Sequence, residues 1–205
     1  MQHLLMNLKE CLEELGIDTQ RGLFLIYGKA GTGKTTFMME STNHIEGKAF
    51  IVDSEGAFSV DRFKQISKDE LDSLMIARPG SLNEQAKIIS NVLDNEKLFG
   101  FIGIDTIGKH YREEAKKDRK GSNNEMARQM RILKEISRNK PVVICNQVYQ
   151  NIIKNKVEPL AGNYVTKWCD VVIELDEVNE VRKFKLIKPE VSEKYFTLCD
   201  SGFEF

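Results

Sequence analysis

Apolar residues recur at helical spacing from the start of the chain. Leu4, Leu5, Leu8, Leu12 and Leu15 share one face, and Gly16 stands where a helix would stop. Lys9, Glu10, Glu13 and Glu14 fall between them, which points to an amphipathic helix rather than a signal peptide. Leu23-Phe24-Leu25-Ile26-Tyr27 is a continuous apolar run, the pattern of a strand buried on both faces of a parallel sheet. A glycine loop follows, then a helix expected over 34–44. Short apolar runs at 49–52, 74–76, 101–104 and 141–145 predict four more strands, with helices expected at 60–66, 82–93 and 126–138. Beyond residue 170 the pattern changes. Segments 171–175, 182–187 and 195–198 read as strands joined by short turns, with no helices between them. The expected class is α/β: a mostly parallel twisted sheet flanked by helices through right-handed crossovers, with an antiparallel C-terminal extension. One polar stretch, 112–124, is too long for an ordinary connection and is expected as a loop.

Composition narrows this picture without redirecting it. A chain of 205 residues, 41% hydrophobic and 30% charged, can bury a core, and one unit spanning 1–205 is expected. The net charge of −1 carries no global signature of nucleic acid or membrane, so any basic surface must be local. No apolar run approaches the ~20 residues of a membrane span. Cys11, Cys145, Cys169 and Cys199 form no CxxC pair, and reduced thiols in a cytoplasmic protein are the expected state.

The chemistry begins at Gly28-Lys29-Ala30-Gly31-Thr32-Gly33-Lys34-Thr35, with Thr36 behind it. Glycines let a backbone curl around phosphate so that its N–H groups face the anion, and the following helix adds its positive end. Lys34 would meet the β- and γ-phosphates of ATP, and the Thr35 hydroxyl would join the Mg²⁺ shell. The alternative is a glycine-rich turn with a solvated lysine. The position of the loop, between a buried strand and a helix, favours phosphate.

Such a site needs a carboxylate at the end of a neighbouring strand to hold the metal through water. Asp105, after Phe101-Ile102-Gly103-Ile104, is placed for it. Asp53 and Glu55 end another strand. Asp53 is expected to bond locally, and Glu55 to reach the crevice and orient a water for attack. Asn146-Gln147, at the end of 142–145, could bond the γ-phosphate or its water, or simply satisfy nearby backbone.

These pieces together resemble the RecA-type recombinase ATPases, and within them the archaeal RadB branch. The matching blocks are Tyr27-Gly28, Val52-Asp53-Ser54-Glu55-Gly56-Ala57-Phe58 with Asp61-Arg62, and Ile104-Asp105-Thr106-Ile107. Further blocks are Ala127-Arg128-Gln129, Val143 through Val148, Ala161-Gly162-Asn163 and Phe196-Thr197-Leu198. The resemblance implies a RecA-like P-loop core over 1–205, with Asp105 as the Walker B acid. It implies that Arg62 packs on adenine and that Gln147 links nucleotide state to a DNA-binding loop. It also implies partners: single-stranded or branched DNA, the RadA-type recombinase and a Holliday-junction nuclease. The chain opens almost at the core, so an assisting role with weak ATPase activity is expected rather than autonomous strand exchange.

Charge gives separate support for DNA. Between Lys109 and Lys140 eleven Lys/Arg face five acids, a local net of +6 in a chain of net −1. Lys109, Arg112, Lys116, Lys117, Arg119 and Lys120 are the candidate phosphate contacts in a first DNA-binding loop, and Lys154 and Lys156 in a second. Tyr111 and Tyr149 could stack on bases. Two other readings compete: a KaiC-like signalling ATPase without DNA affinity, and an ATP-switched protein-interaction module.

Overall fold

The computed structural model describes residues 6–43, 45–67, 74–151 and 156–205. Among the described residues, eighteen helices and strands follow in chain order: α1 (Leu8–Glu14), β1 (Gly22–Gly28), α2 (Lys34–Glu40), β2 (Lys48–Asp53), α3 (Val60–Ile66), β3 (Leu74–Ala77), α4 (Leu82–Asp94), β4 (Phe99–Asp105), α5 (Lys109–Glu114), α6 (Arg119–Ile136), β5 (Pro141–Asn146), β6 (Val148–Asn151), β7 (Lys156–Pro159), α7 (Gly162–Val165), β8 (Val171–Val178), β9 (Val181–Lys188), β10 (Ser192–Cys199) and β11 (Gly202–Glu204), with short single turns between some of them. The helix starts carry their own signals. Asn7 and Glu10 form a reciprocal capping box on α1, and Ser59, Ser81 and Asp118 cap α3, α4 and α6 by accepting from a backbone N–H.

Nine strands form one sheet in the order β11-β10-β9-β8-β1-β5-β4-β2-β3. The six from β8 to β3 run parallel, and β9, β10 and β11 extend the sheet antiparallel. β1 lies inside, and alternation along it sends its side chains to two different cores. Phe24 and Ile26 join Phe37, Met38, Phe101 and Phe184 on the face covered by α1, α2 and α3. Leu23 and Leu25 join Ile102, Ile104, Met130 and Leu133 on the face covered by α4 and α6. Glu40, at the end of α2, is buried and accepts from Leu8 N (3.0 Å) and Phe203 N (2.7 Å), so one carboxylate ties α1, α2 and β11 together.

The sheet class and the C-terminal antiparallel extension match the expectation. The expected polar loop at 112–124 is corrected: most of it is helical, divided between α5 and α6. The first two turns of α6 are polar because they carry no core face. Asp118 caps them through Gly121 N (2.9 Å), and apolar contact begins at Met126. The helix from residue 4 is described only from Leu8, and residues 1–5 lie outside the described residues. The β6–β7 hairpin and β11 were not anticipated.

Three of the four thiols are buried. Burial pushes Cys11 and Cys169 up to about 12 and raises Cys145 well above the usual thiol range. At pH 8 these three sulfurs are neutral and shielded, so a thiol reagent should label the native protein at Cys199 alone. All four should react in denaturant. Rapid labelling of a second thiol in the folded protein would contradict this packing.

Candidate functional site

The carboxyl ends of β1, β2, β4 and β5 meet at one edge of the sheet. Asp53 pairs with Asp105 across β2 and β4, and Tyr27 with Asn146 across β1 and β5. This is where a parallel open sheet opens a crevice for ligands.

The glycine loop leaves β1 at Gly28. A Cβ there would lie 2.1 Å from the Leu175 carbonyl oxygen, so no larger residue fits. Gly31 and Gly33 hold φ of +80° and +102°, which side-chain-bearing residues rarely adopt. The loop therefore turns straight into α2 with Lys34 at its first position. The Lys34 ammonium folds back over the loop and donates to Gly28 O (3.0 Å) and Lys29 O (2.6 Å). Burial lowers its pKa, and the negative charges of Asp105 and Glu55 partly restore it. Thr32 donates to Lys29 O (3.0 Å), Lys29 and Ala30 are exposed, and Thr36 lies in the first turn of α2.

Thr35 Oγ1 donates to Asp105 Oδ2 at 2.6 Å. Burial raises the Asp105 pKa, opposed by the Thr35 bond and the Lys34 charge. A hydroxyl and a carboxylate are hard oxygen donors of the kind Mg²⁺ takes. No cluster of three or more His, Cys, Asp or Glu exists among the described residues. A cation here would complete its shell with phosphate and water, as Mg²⁺ does.

Glu55 has become part of a network. Its Oε1 accepts from Thr106 Oγ1 (2.9 Å) and Gln147 Nε2 (2.8 Å). Gln147 Oε1 in turn accepts from Arg112 (2.9 Å). Asp53 is buried and bonds locally: it accepts from Gly56 N (2.8 Å), Ala57 N (3.2 Å) and Phe58 N (3.3 Å), and from Arg78 (3.0 Å). Behind the loop, Ser54 Oγ donates to Gln85 Oε1 (2.9 Å), and Gln85 Nε2 donates to Gln129 Oε1 (2.8 Å).

Several residues named from sequence are held by bonds within the chain. Lys109, placed there among DNA contacts, donates instead to Ser54 O at 2.6 Å, drawn inward beside Glu55. Arg62 donates to the carbonyls of Cys199 (2.6 Å) and Asp200 (3.2 Å) at the β10–β11 turn. Asn146 is buried and donates to Leu160 O (2.7 Å), which is a structural bond. Lys116, Lys117, Arg119 and Lys120 are exposed at the α5–α6 junction. Lys154 lies outside the described residues, and Lys156 opens β7.

A family model for the AAA domain matches residues 22–197. The chain is 32% identical to the DNA repair and recombination protein RadB of Pyrococcus abyssi (strain GE5 / Orsay), over 94% of this chain and 89% of that protein. It is 32% identical to the RadB protein of Methanococcus maripaludis (strain C5 / ATCC BAA-1333), over 86% of this chain and 87% of that one. The chain belongs to the RadB family. A crystal structure of the RadB recombinase superposes with a TM-score of 0.81 at 27% identity, covering 95% of this chain and 96% of that one. The nine-stranded sheet is thus the RecA-like core of a family of DNA repair and recombination proteins.

Within this RadB-family core, three participants were missed from sequence: Thr106, Gln85 and Arg78. Thr106 had a legible signal, since it directly follows the candidate metal acid. Gln85 had none, because a buried amide in an amphipathic helix looks like any polar helix residue. Its replacement tests the frame. Gln85→Leu removes the shared partner of Ser54 and Gln129, and should cost about 2 kcal/mol of stability for the polar groups left unpaired. An unchanged denaturation midpoint would show that the bridge does not hold the Glu55 loop.

Proposed function

We propose that the chain binds Mg·ATP at this edge, hydrolyses it slowly, and binds DNA as an assistant to recombination rather than as the engine of strand exchange. The observation that carries the reading is one constellation. The Thr35–Asp105 pair, the Lys34 ammonium and the Glu55 carboxylate gather at adjoining strand ends. Lys34 would neutralise charge on the β- and γ-phosphates, and Thr35 with Asp105 would hold the metal, Asp105 through water. Mg²⁺ supplies charge neutralisation and orientation of the phosphate oxygens. Glu55 would orient a water in line with the γ-phosphorus and take its proton. The bond from phosphorus to the β–γ bridging oxygen breaks, giving ADP and phosphate. Arg62, beside the β10–β11 turn, would pack on the adenine.

For DNA, an open cleft of about 420 Å³ is lined by Tyr111, Arg112, Lys116, Arg119, Tyr149 and Tyr164. The cations suit the phosphates of a single strand and the exposed Tyr149 ring suits a base, whereas Tyr111 is buried with its hydroxyl donating to Asn123 (2.7 Å), so the stacking role expected for it is corrected. The shared description of the relatives, DNA repair and recombination protein, supports the setting. A RadA-type recombinase and a branched-junction nuclease are the partners we propose to test.

Lys34→Ala should abolish turnover together with nucleotide binding. Glu55→Gln should keep binding and lower turnover by about 10²-fold or more, the usual worth of a positioned base. Wild-type rates in Glu55→Gln would remove the water-orienting role. A labelled single strand should bind at ~50 mM salt. Its affinity should fall with a log–log slope near −3, for about four neutralised phosphates at about −0.7 each. No binding at that salt would sink the DNA half of the proposal.

A further inference from the structure

The C-terminal part of the sheet touches the glycine loop at three places. The Leu175 carbonyl of β8 lies behind Gly28, where a Cβ would meet its oxygen at 2.1 Å. Leu198 of β10 and Phe203 of β11 back Gly33, where a Cβ would approach them to 3.2 and 3.3 Å. Between these points Arg182 of β9 reaches the loop itself, and its Nη1 donates to Gly31 O at 2.9 Å. The other arm of the guanidinium, Nη2, lies 2.9 Å from Glu177 Oε2. Glu177 and Arg182 face each other across the β8–β9 hairpin, so the strand register sets this pair. A planar fork gripped by a carboxylate at one arm has its other arm fixed in direction.

The bond to Gly31 O governs the whole peptide that follows. A trans peptide is planar, and its N–H points opposite to its C=O. Holding the Gly31 oxygen therefore fixes the direction of the Thr32 N–H, which points away from Arg182. The loop does not choose that direction by its own sterics. Gly31 has a φ of +80°, and nothing lies within 4 Å of where its Cβ would stand, so the next peptide is free to turn over. Turned over, it would offer an oxygen to an anion instead of a hydrogen. Lys34 cannot prevent this, because it holds the earlier carbonyls, Gly28 O (3.0 Å) and Lys29 O (2.6 Å). We propose that Arg182 is a positioning residue of the nucleotide site: by holding Gly31 O, and held in turn by Glu177, it presents the Thr32 N–H to the phosphates. The guanidinium adds its charge on the side of the peptide away from that N–H, which deepens the dipole the anion meets. The inference rests on the ATP reading above and extends that site to the antiparallel strands, which otherwise look like a mere widening of the sheet.

The test titrates the full chain with Mg·ADP in a calorimeter and follows Mg·ATP turnover. Arg182→Ala should weaken Mg·ADP roughly tenfold or more, as for one lost hydrogen bond to a charged group. It should raise KM for ATP and leave kcat nearly unchanged, because Arg182 touches the loop and no reacting atom. Arg182→Lys keeps the charge without the fork and should recover only a small part of the loss. Glu177→Gln should weaken binding less than Arg182→Ala, and adding it to Arg182→Ala should weaken binding no further. Lys183→Ala, which removes an equal charge from the next position of β9, should bind as wild type does. A denaturation midpoint for each variant separates lost affinity from lost folding, and Arg182→Lys with Glu177→Gln carries the test if Arg182→Ala does not fold. Full recovery in Arg182→Lys, or an equal loss in Lys183→Ala, would reduce Arg182 to a general charge and overturn the proposal. A fall in kcat at unchanged affinity would overturn it too, by placing the guanidinium at the reacting phosphate. Wild-type affinity in Arg182→Ala removes this inference alone, whereas a wild type that does not bind Mg·ADP removes the ATP reading beneath it.

Discussion

The parallel register of β1, β2, β4 and β5 is the constraint on which the functional edge depends. Tyr27 opposite Asn146, Ile104 opposite Ile144 and Asp53 opposite Asp105 bring four strand ends to one level. A slip of one residue in any of these pairings would send every side chain of the strand to the opposite face, because the side-chain period is two. The slip is prevented by burial on both faces. Phe24 and Ile26 fill one core while Leu23 and Leu25 fill the other, so neither face tolerates the opposite set. Apolar packing between strands thus decides where the polar residues of the site arrive.

Burial then acts a second time, on the charges. Lys34 and Asp105 both lose water, which lowers the one pKa and raises the other, and each charge partly repairs the other's loss. A site built this way favours an anion with its own metal ion, since such a ligand replaces lost hydration for both groups at once. Preorganised charge in a water-poor edge is the form of stabilisation that phosphoryl transfer uses most, because the protein has little covalent chemistry to perform.

Much of this was legible in the residues. The glycine loop, Asp105 and Glu55 are local signals: backbone conformations that require glycine, or an acid ending an apolar run. Their meeting follows from the sheet class, which periodicity also shows. The stretch 112–124 was misread because residues 119–125 carry no apolar period, and a helix paid for by a cap and a single buried Ser122 resembles a loop. The inward turn of Lys109 was equally hidden. Counting charges along a chain cannot tell a solvated lysine from one that caps a carbonyl, and only the third dimension separates Lys109 from Lys116.

The edge consequently has a stiff half and a soft half. Ser54, Gln85 and Gln129 are buried and bonded in a chain, and buried Asp53 separately holds the backbone of 56–58, so breaking any of these bonds strands a polar group away from water. Arg112 and Gln147 lie on the other side of Glu55, where water can replace a lost partner at small cost. Glu55 sits between them: its backbone N–H donates to Asp105 O (3.3 Å), and its carboxylate accepts from buried Thr106 on one side and from half-buried Gln147 on the other.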